Sequence, residues 1–171
     1  MNLERVTLVI GGARSGKSVY AESLAGDTPR DPVYIATGTP SDVEMAARIQ
    51  EHRARRGNRW RTVEEPLNLA SVIASDAVPG CVVLVDCLTL WLANLMAAQY
   101  DPAAETARLI RALDAAAGPI ILVANEVGLG IVPDNALARE FRDHAGRLNQ
   151  AVAGVADRVI FVTAGLPMTL K

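Results

Sequence analysis

Short runs of consecutive apolar residues alternate along this chain with longer stretches whose apolar positions recur at helical spacing. The candidate strands are Val6–Ile10, Val33–Thr37, Trp60–Val63, Cys81–Val85, Ile120–Ala124 and Arg158–Thr163, and several are continuous β-branched runs. A strand that is apolar on both sides belongs in a sheet covered on both faces, which is the usual situation of parallel strands. The helical stretches between the runs predict an α/β architecture, with helices on both sides of a largely parallel sheet.

Helix ends carry local signals. Ser41-Asp-Val-Glu44 is a capping box and opens a helix to about Arg56, with Gly57 as its stop. Asp101-Pro102 pairs an N-cap with proline at the first helical position and opens a helix to about Ala116. A further helix begins near Asp134, after Pro133, and runs toward Val155, while Ser18 to Ala25 is helix-compatible. In a sheet of this kind ligands gather at the carboxyl ends of the strands. The segments to inspect are therefore Gly11–Ser18, Thr37–Pro40, Asp86–Thr89 and Asn125–Pro133.

Composition narrows the class. A chain of 171 residues predicts one domain, residues 1–171, long enough for a full core. The net charge of −2 argues against a general nucleic-acid binder. Cys81 and Cys87 flank one predicted strand without metal-ligand spacing and read as buried, reduced thiols of a cytoplasmic protein. The first strand begins almost at the N-terminus with acidic Glu4 before it, a pattern from which no signal peptide is expected. Leu88 to Ala98 is the most apolar stretch; it is too short to span a bilayer and contains Asn94. It is also more apolar than a one-faced surface helix requires, which fits core or a subunit interface.

Gly11-Gly-Ala-Arg-Ser-Gly-Lys17-Ser18 fits the phosphate-binding loop pattern G-x-x-x-x-G-K-[ST], placed between a strand and a helix as that motif requires. Glycines let backbone N–H groups curl around phosphate oxygens, and the new helix offers its positive end to the same anion. Lys17 and the terminal Lys171 are the only lysines of a chain that otherwise uses arginine for positive charge. A lysine retained at this place suits a compact, flexible ammonium reaching the β- and γ-phosphates. The Ser18 hydroxyl is positioned in the motif to hold Mg²⁺. Asp86 ends the run Val82-Val-Leu-Val-Asp86, the form of the second nucleotide motif, and its carboxylate would face the same ion. An N-cap for the following helix is an alternative and compatible role for Asp86.

Three further groups stand out. Arg48, His52 and Arg56 share one helix face, with Arg53 and Arg55 beside them, a stripe suited to a polyanion. Neighbouring arginines favour neutral imidazole, which is a nucleophile toward phosphorus. The local sequence by itself fits a solvated helix histidine better, and His144 reads as helix surface or a structural contact. Glu64 and Glu65 follow a strand and could accept hydrogen bonds from a ribose or base, or serve as surface charge. Asn125-Glu126-Val-Gly128-Leu-Gly130-Ile-Val-Pro133 leaves a buried strand and reads equally as a ligand loop or a structural one. Asn125-Glu126 is not the Asn-Lys-x-Asp motif of a switch GTPase, and the arginine cluster comes too early for the lid of a simple kinase.

Several of these segments occur together and in order: Gly11–Ser18, Tyr34-Ile-Ala-Thr37, Met45-Ala-Ala-Arg-Ile-Gln-Glu-His52, Trp60-Arg-Thr-Val-Glu64, Asn125–Pro133, Phe141-Arg-Asp-His-Ala-Gly-Arg-Leu-Asn-Gln150 and Ala164-Gly-Leu-Pro167. The chain thereby resembles, over essentially its whole length, the bifunctional adenosylcobinamide kinase / adenosylcobinamide-phosphate guanylyltransferase family of cobalamin assembly. The resemblance implies a P-loop NTPase-like (RecA-like) α/β fold. It implies transfer of a γ-phosphate from ATP or GTP to the hydroxyl of adenosylcobinamide. A second reaction moves GMP from GTP through a protein histidine to the phosphorylated corrinoid, giving adenosyl-GDP-cobinamide. The family histidine falls on His52. Gly11, Gly12, Ala13, Arg14, Ser15, Gly16, Lys17 and Ser18 carry over as the phosphate site. Ala36, Thr37, Gly38, Arg53, Ala54, Arg55, Arg56, Glu64 and Asp86 carry over as the rest of the nucleotide site. Relatives often have Glu where this chain has Asp86, which retracts the charge by a methylene. Mg²⁺ as cofactor and a homotrimer with sites between subunits are also implied. A plain P-loop kinase of a small alcohol and a non-catalytic nucleotide-dependent module are the alternatives; neither predicts a covalent nucleotide.

Overall fold

The structure, a computed structural model, describes residues 3–39 and 59–171. The capping box at Ser41–Glu44, the helix it opens, Arg48, His52, Arg53, Ala54, Arg55 and Arg56 lie outside the described residues. Among the described residues seven strands form one sheet: β1 (Val6–Gly11), β2 (Asp31–Ala36), β3 (Arg61–Glu64), β4 (Cys81–Asp86), β5 (Ile120–Asn125), β6 (Arg158–Thr163) and β7 (Leu166–Thr169). Their order across the sheet is β3-β2-β4-β5-β1-β6-β7. All pairs are parallel except β6 with β7.

The alternation of side chains along each strand explains the two cores. Leu8 and Ile10 of β1 point to one face with Ile35, Val83, Val85 and Leu122. Val9 points to the other with Leu84, Val123 and Ile160. The second face is covered by α1 (Lys17–Gly26) through Ala21 and Ala25. On the first face lie α2 (Leu69–Asp76), α3 (Leu88–Ala97), α4 (Pro102–Ala115) and α5 (Ala136–Val155). Burial on both faces is why the strand sequences lack polar alternation. Helix α3 is core: Leu88, Trp91, Leu92 and Leu95 are all buried, and the Trp91 indole donates to Leu67 O at 2.8 Å.

Helix starts follow their signals. The Asp101 carboxylate accepts from Ala103 N at 2.9 Å with Pro102 in the first turn of α4. The cap of α5 is Asn135, one residue past the expected Asp134, and it accepts from Ala138 N at 2.7 Å. Among the described residues no helix is long and apolar enough to cross a membrane. Cys87 is buried and Cys81 only half-buried, because Cys81 opens the exposed end of β4.

Candidate active site at the carboxyl edge of the sheet

Strand β1 is buried throughout and hydrogen-bonded on both sides, so it delivers Gly11 rigidly to the carboxyl edge, opposite Asn125 and Val162. Glycine is required there: a Cβ on Gly11 would stand 2.3 Å from Val162 O. The loop then turns, with Ser15 N donating to Gly12 O at 3.3 Å. Gly16 takes a left-handed conformation, φ 95°, that a side chain would strain. It is the N-cap of α1 and offers no side-chain cap, so no side chain competes for the first-turn amides. The result is a backbone cradle of the kind that binds phosphate.

Lys17 closes the cradle. Its side chain is 8% exposed, and Nζ donates to Gly12 O at 2.9 Å. Burial pulls its pKa below the ordinary lysine value, opposed by negative charge at Cys87, when ionised, and at the Asp86 carboxylate. Cys87 is pushed up to about 11, mainly by burial and then by Asp86, so it stays a thiol. Asp86 sits at the end of β4, two strands from β1, near enough for its charge to favour the Lys17 ammonium.

The neighbouring strand ends are tied to the same edge. Ala36 stands opposite Asp86 on one side and Glu64 on the other. The Thr37 hydroxyl is fully buried; it donates to Cys87 O at 2.7 Å and accepts from Cys87 N at 2.9 Å. Thr37 O accepts from Asn94 Nδ2 at 2.7 Å. These bonds fix the Ala36–Thr37–Gly38 backbone against the start of α3. Gly38 lies over Leu90, and Glu64 is exposed at the end of β3.

The structure thus brings Gly11–Ser18, Ala36, Thr37, Gly38, Glu64 and Asp86 to one edge. The helix cap after β4 is Cys87, so the alternative capping role of Asp86 is not used. Instead the Tyr34 hydroxyl donates to Asp86 Oδ2 at 2.9 Å. Sequence reasoning gave Tyr34 no role, although it opens the segment Tyr34–Thr37. Asn94 and Thr89, which accepts from Asn125 N at 2.7 Å, were likewise hidden inside an apolar helix. Only their polarity in that setting marked them.

The loop after β5 begins beside the cradle: Glu126 N donates to Gly11 O at 3.0 Å, and the Glu126 carboxylate turns back onto Gly128 N. A Cβ on Gly128 would meet that carboxylate at 2.9 Å, whereas Gly130 has open space. Asn149 Nδ2 holds Asn125 O at 3.2 Å from α5. His144 lies elsewhere, 3.8 Å from Glu140 on α5, lining a shallow groove of about 480 Å³ between α4 and α5.

A magnesium ion takes hard oxygen donors, usually one or two carboxylates with phosphates and water. The Ser18 hydroxyl and the Asp86 carboxylate are donors of that chemistry on this edge. Among the described residues no group of three or more His, Cys, Asp or Glu could hold a metal without a phosphate.

Comparison with known proteins agrees with this geometry. The fold matches the RadB recombinase (TM-score 0.55, 17% identity, 94% of this chain and 76% of that one). It also matches the flagellar accessory protein FlaH of Methanocaldococcus jannaschii (TM-score 0.53, 14% identity, 99% and 79%). At such identities the likeness establishes the fold alone, a RecA-like α/β sheet. The chain is 52% identical over 167 residues to the bifunctional adenosylcobalamin biosynthesis protein CobP of Pseudomonas aeruginosa, covering 96% of each. It is 45% identical over 179 residues to the bifunctional adenosylcobalamin biosynthesis protein CobU of Salmonella typhimurium, covering 96% of this chain and 98% of that protein. The family model described as cobinamide kinase / cobinamide phosphate guanyltransferase matches residues 7–170. With a P-loop, a facing acid and a match from end to end, this chain belongs to the cobinamide kinase / cobinamide phosphate guanyltransferase family.

Proposed function

We propose that this chain phosphorylates adenosylcobinamide from ATP or GTP and then transfers GMP from GTP to the product, giving adenosyl-GDP-cobinamide. The observation that carries the reading is the cradle itself: unfilled helix amides behind Gly16, with the buried Lys17 ammonium held at the loop opposite Asp86. Lys17 offsets the negative charge that grows on the leaving phosphates, worth about a hundred- to a thousandfold for one such donor. A magnesium ion held by Ser18 and Asp86 would supply further neutralisation of the β- and γ-phosphates.

In the guanylyl step the His52 imidazole attacks the α-phosphorus of GTP. A P–N bond forms, the P–O bond to pyrophosphate breaks, and the imidazole proton passes to solvent. The corrinoid phosphate oxygen then forms a new P–O bond as the P–N bond breaks and the departing imidazole takes a proton back from solvent, so one difficult transfer becomes two. His52 and the nucleotide contacts of Arg53, Ala54, Arg55 and Arg56 rest on the family motif. Those of Ala36, Thr37, Gly38 and Glu64 are supported by their common edge. A cytoplasmic setting is supported by the two free cysteines. A homotrimer is supported by the loop after β5, where Leu129 is 82% and Ile131 98% exposed in the single chain.

The test is intact-protein mass after incubation with GTP and Mg²⁺. A GMP-sized, acid-labile adduct is expected on the wild type and not on His52→Ala. An unmodified wild type that still phosphorylates the corrinoid would sink the covalent half.

A further inference from the structure

Strand β7 contributes no buried side chain: Leu166, Pro167, Met168 and Thr169 are all exposed. What it supplies is backbone. The chain leaves β6, reverses on two residues of positive φ, Ala164 at 51° and Gly165 at 78°, and returns antiparallel. Such a pair is the mark of a tight hairpin turn matched to strand twist. Because β6 lies beside β1, the turn lands against the phosphate loop. Gly165 N donates to Ser15 O at 2.9 Å. A Cβ on Gly16 would stand 3.2 Å from Gly165 Cα, so the contact also needs Gly16 bare.

We propose that the Ala164–Gly165 turn positions the phosphate cradle, the Gly165 amide aiming the Gly16 amide at the anion. The Ser15 carbonyl and the Gly16 N–H belong to one planar trans peptide and point in opposite directions. Holding the carbonyl outward on Gly165 therefore holds the N–H inward. A peptide free to flip would present a carbonyl dipole to the phosphate in some of its conformations, and anion-binding concavities depend on successive N–H groups facing the same way. Gly165 has open space around its own Cβ position, so its requirement is conformation and an N–H, not room. The inference rests on the reading that Gly11–Ser18 binds a nucleoside triphosphate.

The direct test removes the N–H alone. The 171-residue chain with an ester in place of the Ala164–Gly165 amide is made by ligation of a synthetic segment that carries the ester. Tripolyphosphate and GTP affinities are measured by calorimetry well below the melting temperature, where all chains are folded. Loss of one hydrogen bond predicts roughly fivefold weaker binding of both ligands. The nucleotide KM should rise with kcat for corrinoid phosphorylation nearly unchanged. Gly165→Asn keeps the N–H and tolerates the left-handed region, and it should bind like the wild type. An ester protein that binds tripolyphosphate as tightly as the wild type, or one that melts earlier without losing affinity, overturns the positioning role. A wild type that binds neither ligand overturns the P-loop reading itself.

Discussion

The loop after β1 and the loop after β5 start side by side, with Gly11 opposite Asn125, and then diverge. The first is braced within one chain: Ser15 N donates to Gly12 O, Gly11 O and Ser15 O accept from Glu126 N and Gly165 N, and its lysine is buried. The second is anchored at its root by Thr89 and Asn149 but holds Leu129, Ile131 and Val132 out in water. A loop that binds an anion with its backbone needs no apolar surface, whereas exposed apolar side chains at this density mark a surface that something else covers. The difference separates a loop braced by its own chain from a surface that its own chain leaves exposed.

The most severe way to break the first loop is Lys17→Met. It removes the donor while filling the buried space, so the melting temperature of the ligand-free protein should not fall. Corrinoid phosphorylation should drop about a thousandfold. Activity within tenfold of wild type would mean that the ammonium does not serve the transferring phosphate.

The second loop is broken by Leu129→Ser with Ile131→Ser. Each side chain buried in an interface contributes about 1.5–3 kcal/mol. The double variant should therefore weaken subunit association by at least a hundredfold and shift the light-scattering mass from three chains toward one. Its affinity for tripolyphosphate should stay within twofold, since the cradle is built from other residues. An unchanged assembly would remove this loop from the interface.

How much of this was legible follows the same division. The cradle was readable because its glycines and lysine are contiguous, and a parallel strand buried on both faces announces itself by an unbroken apolar run. Strand β6 was bounded correctly from Arg158 to Thr163 for that reason. Strand β7 was not foreseen: it is four residues long, contains Pro167 and buries nothing, so neither periodicity nor apolarity marks it. Tyr34 looked like one more strand residue, because only the register of β2 against β4 brings its hydroxyl to Asp86. Contacts made across strands by single polar atoms leave no pattern along the chain.

Tyr34→Phe isolates that contact. The ring and its edge-on packing against Trp60, 6.1 Å between centroids, are retained, and the bond from the hydroxyl to Asp86 is lost. A hydrogen bond to a charged group is worth about 1.5–3 kcal/mol, so roughly tenfold more magnesium should be needed for half-maximal kinase activity. An unshifted magnesium titration would show that Asp86 keeps its position without the phenol.

The smallest effect is a pH dependence of stability without ligand. Burial lowers the Lys17 pKa in the folded protein, so the unfolded chain binds its proton more tightly than the native one. Below the folded pKa the charged lysine is buried at a cost. That cost is relieved as pH rises from the folded pKa toward the unfolded value near 10.5, so Lys17 makes the protein more stable with rising pH in that window. Cys87 acts with the opposite sign: its thiol stays protonated to about 11, so stability falls as pH passes the unfolded value of 9.0. The two overlap and act on each other, so wild type and Lys17→Met are compared with Cys87→Ala in both, and neither then titrates a thiol at position 87. The stability difference, wild type minus variant, should rise with pH below 10.5. Bound tripolyphosphate should flatten that rise, since an anion in the cradle restores the lysine to its charged form. A difference that is flat with pH in the ligand-free protein would mean that water reaches the Lys17 ammonium, and the contrast between a sealed loop and an open one would lose its electrostatic half.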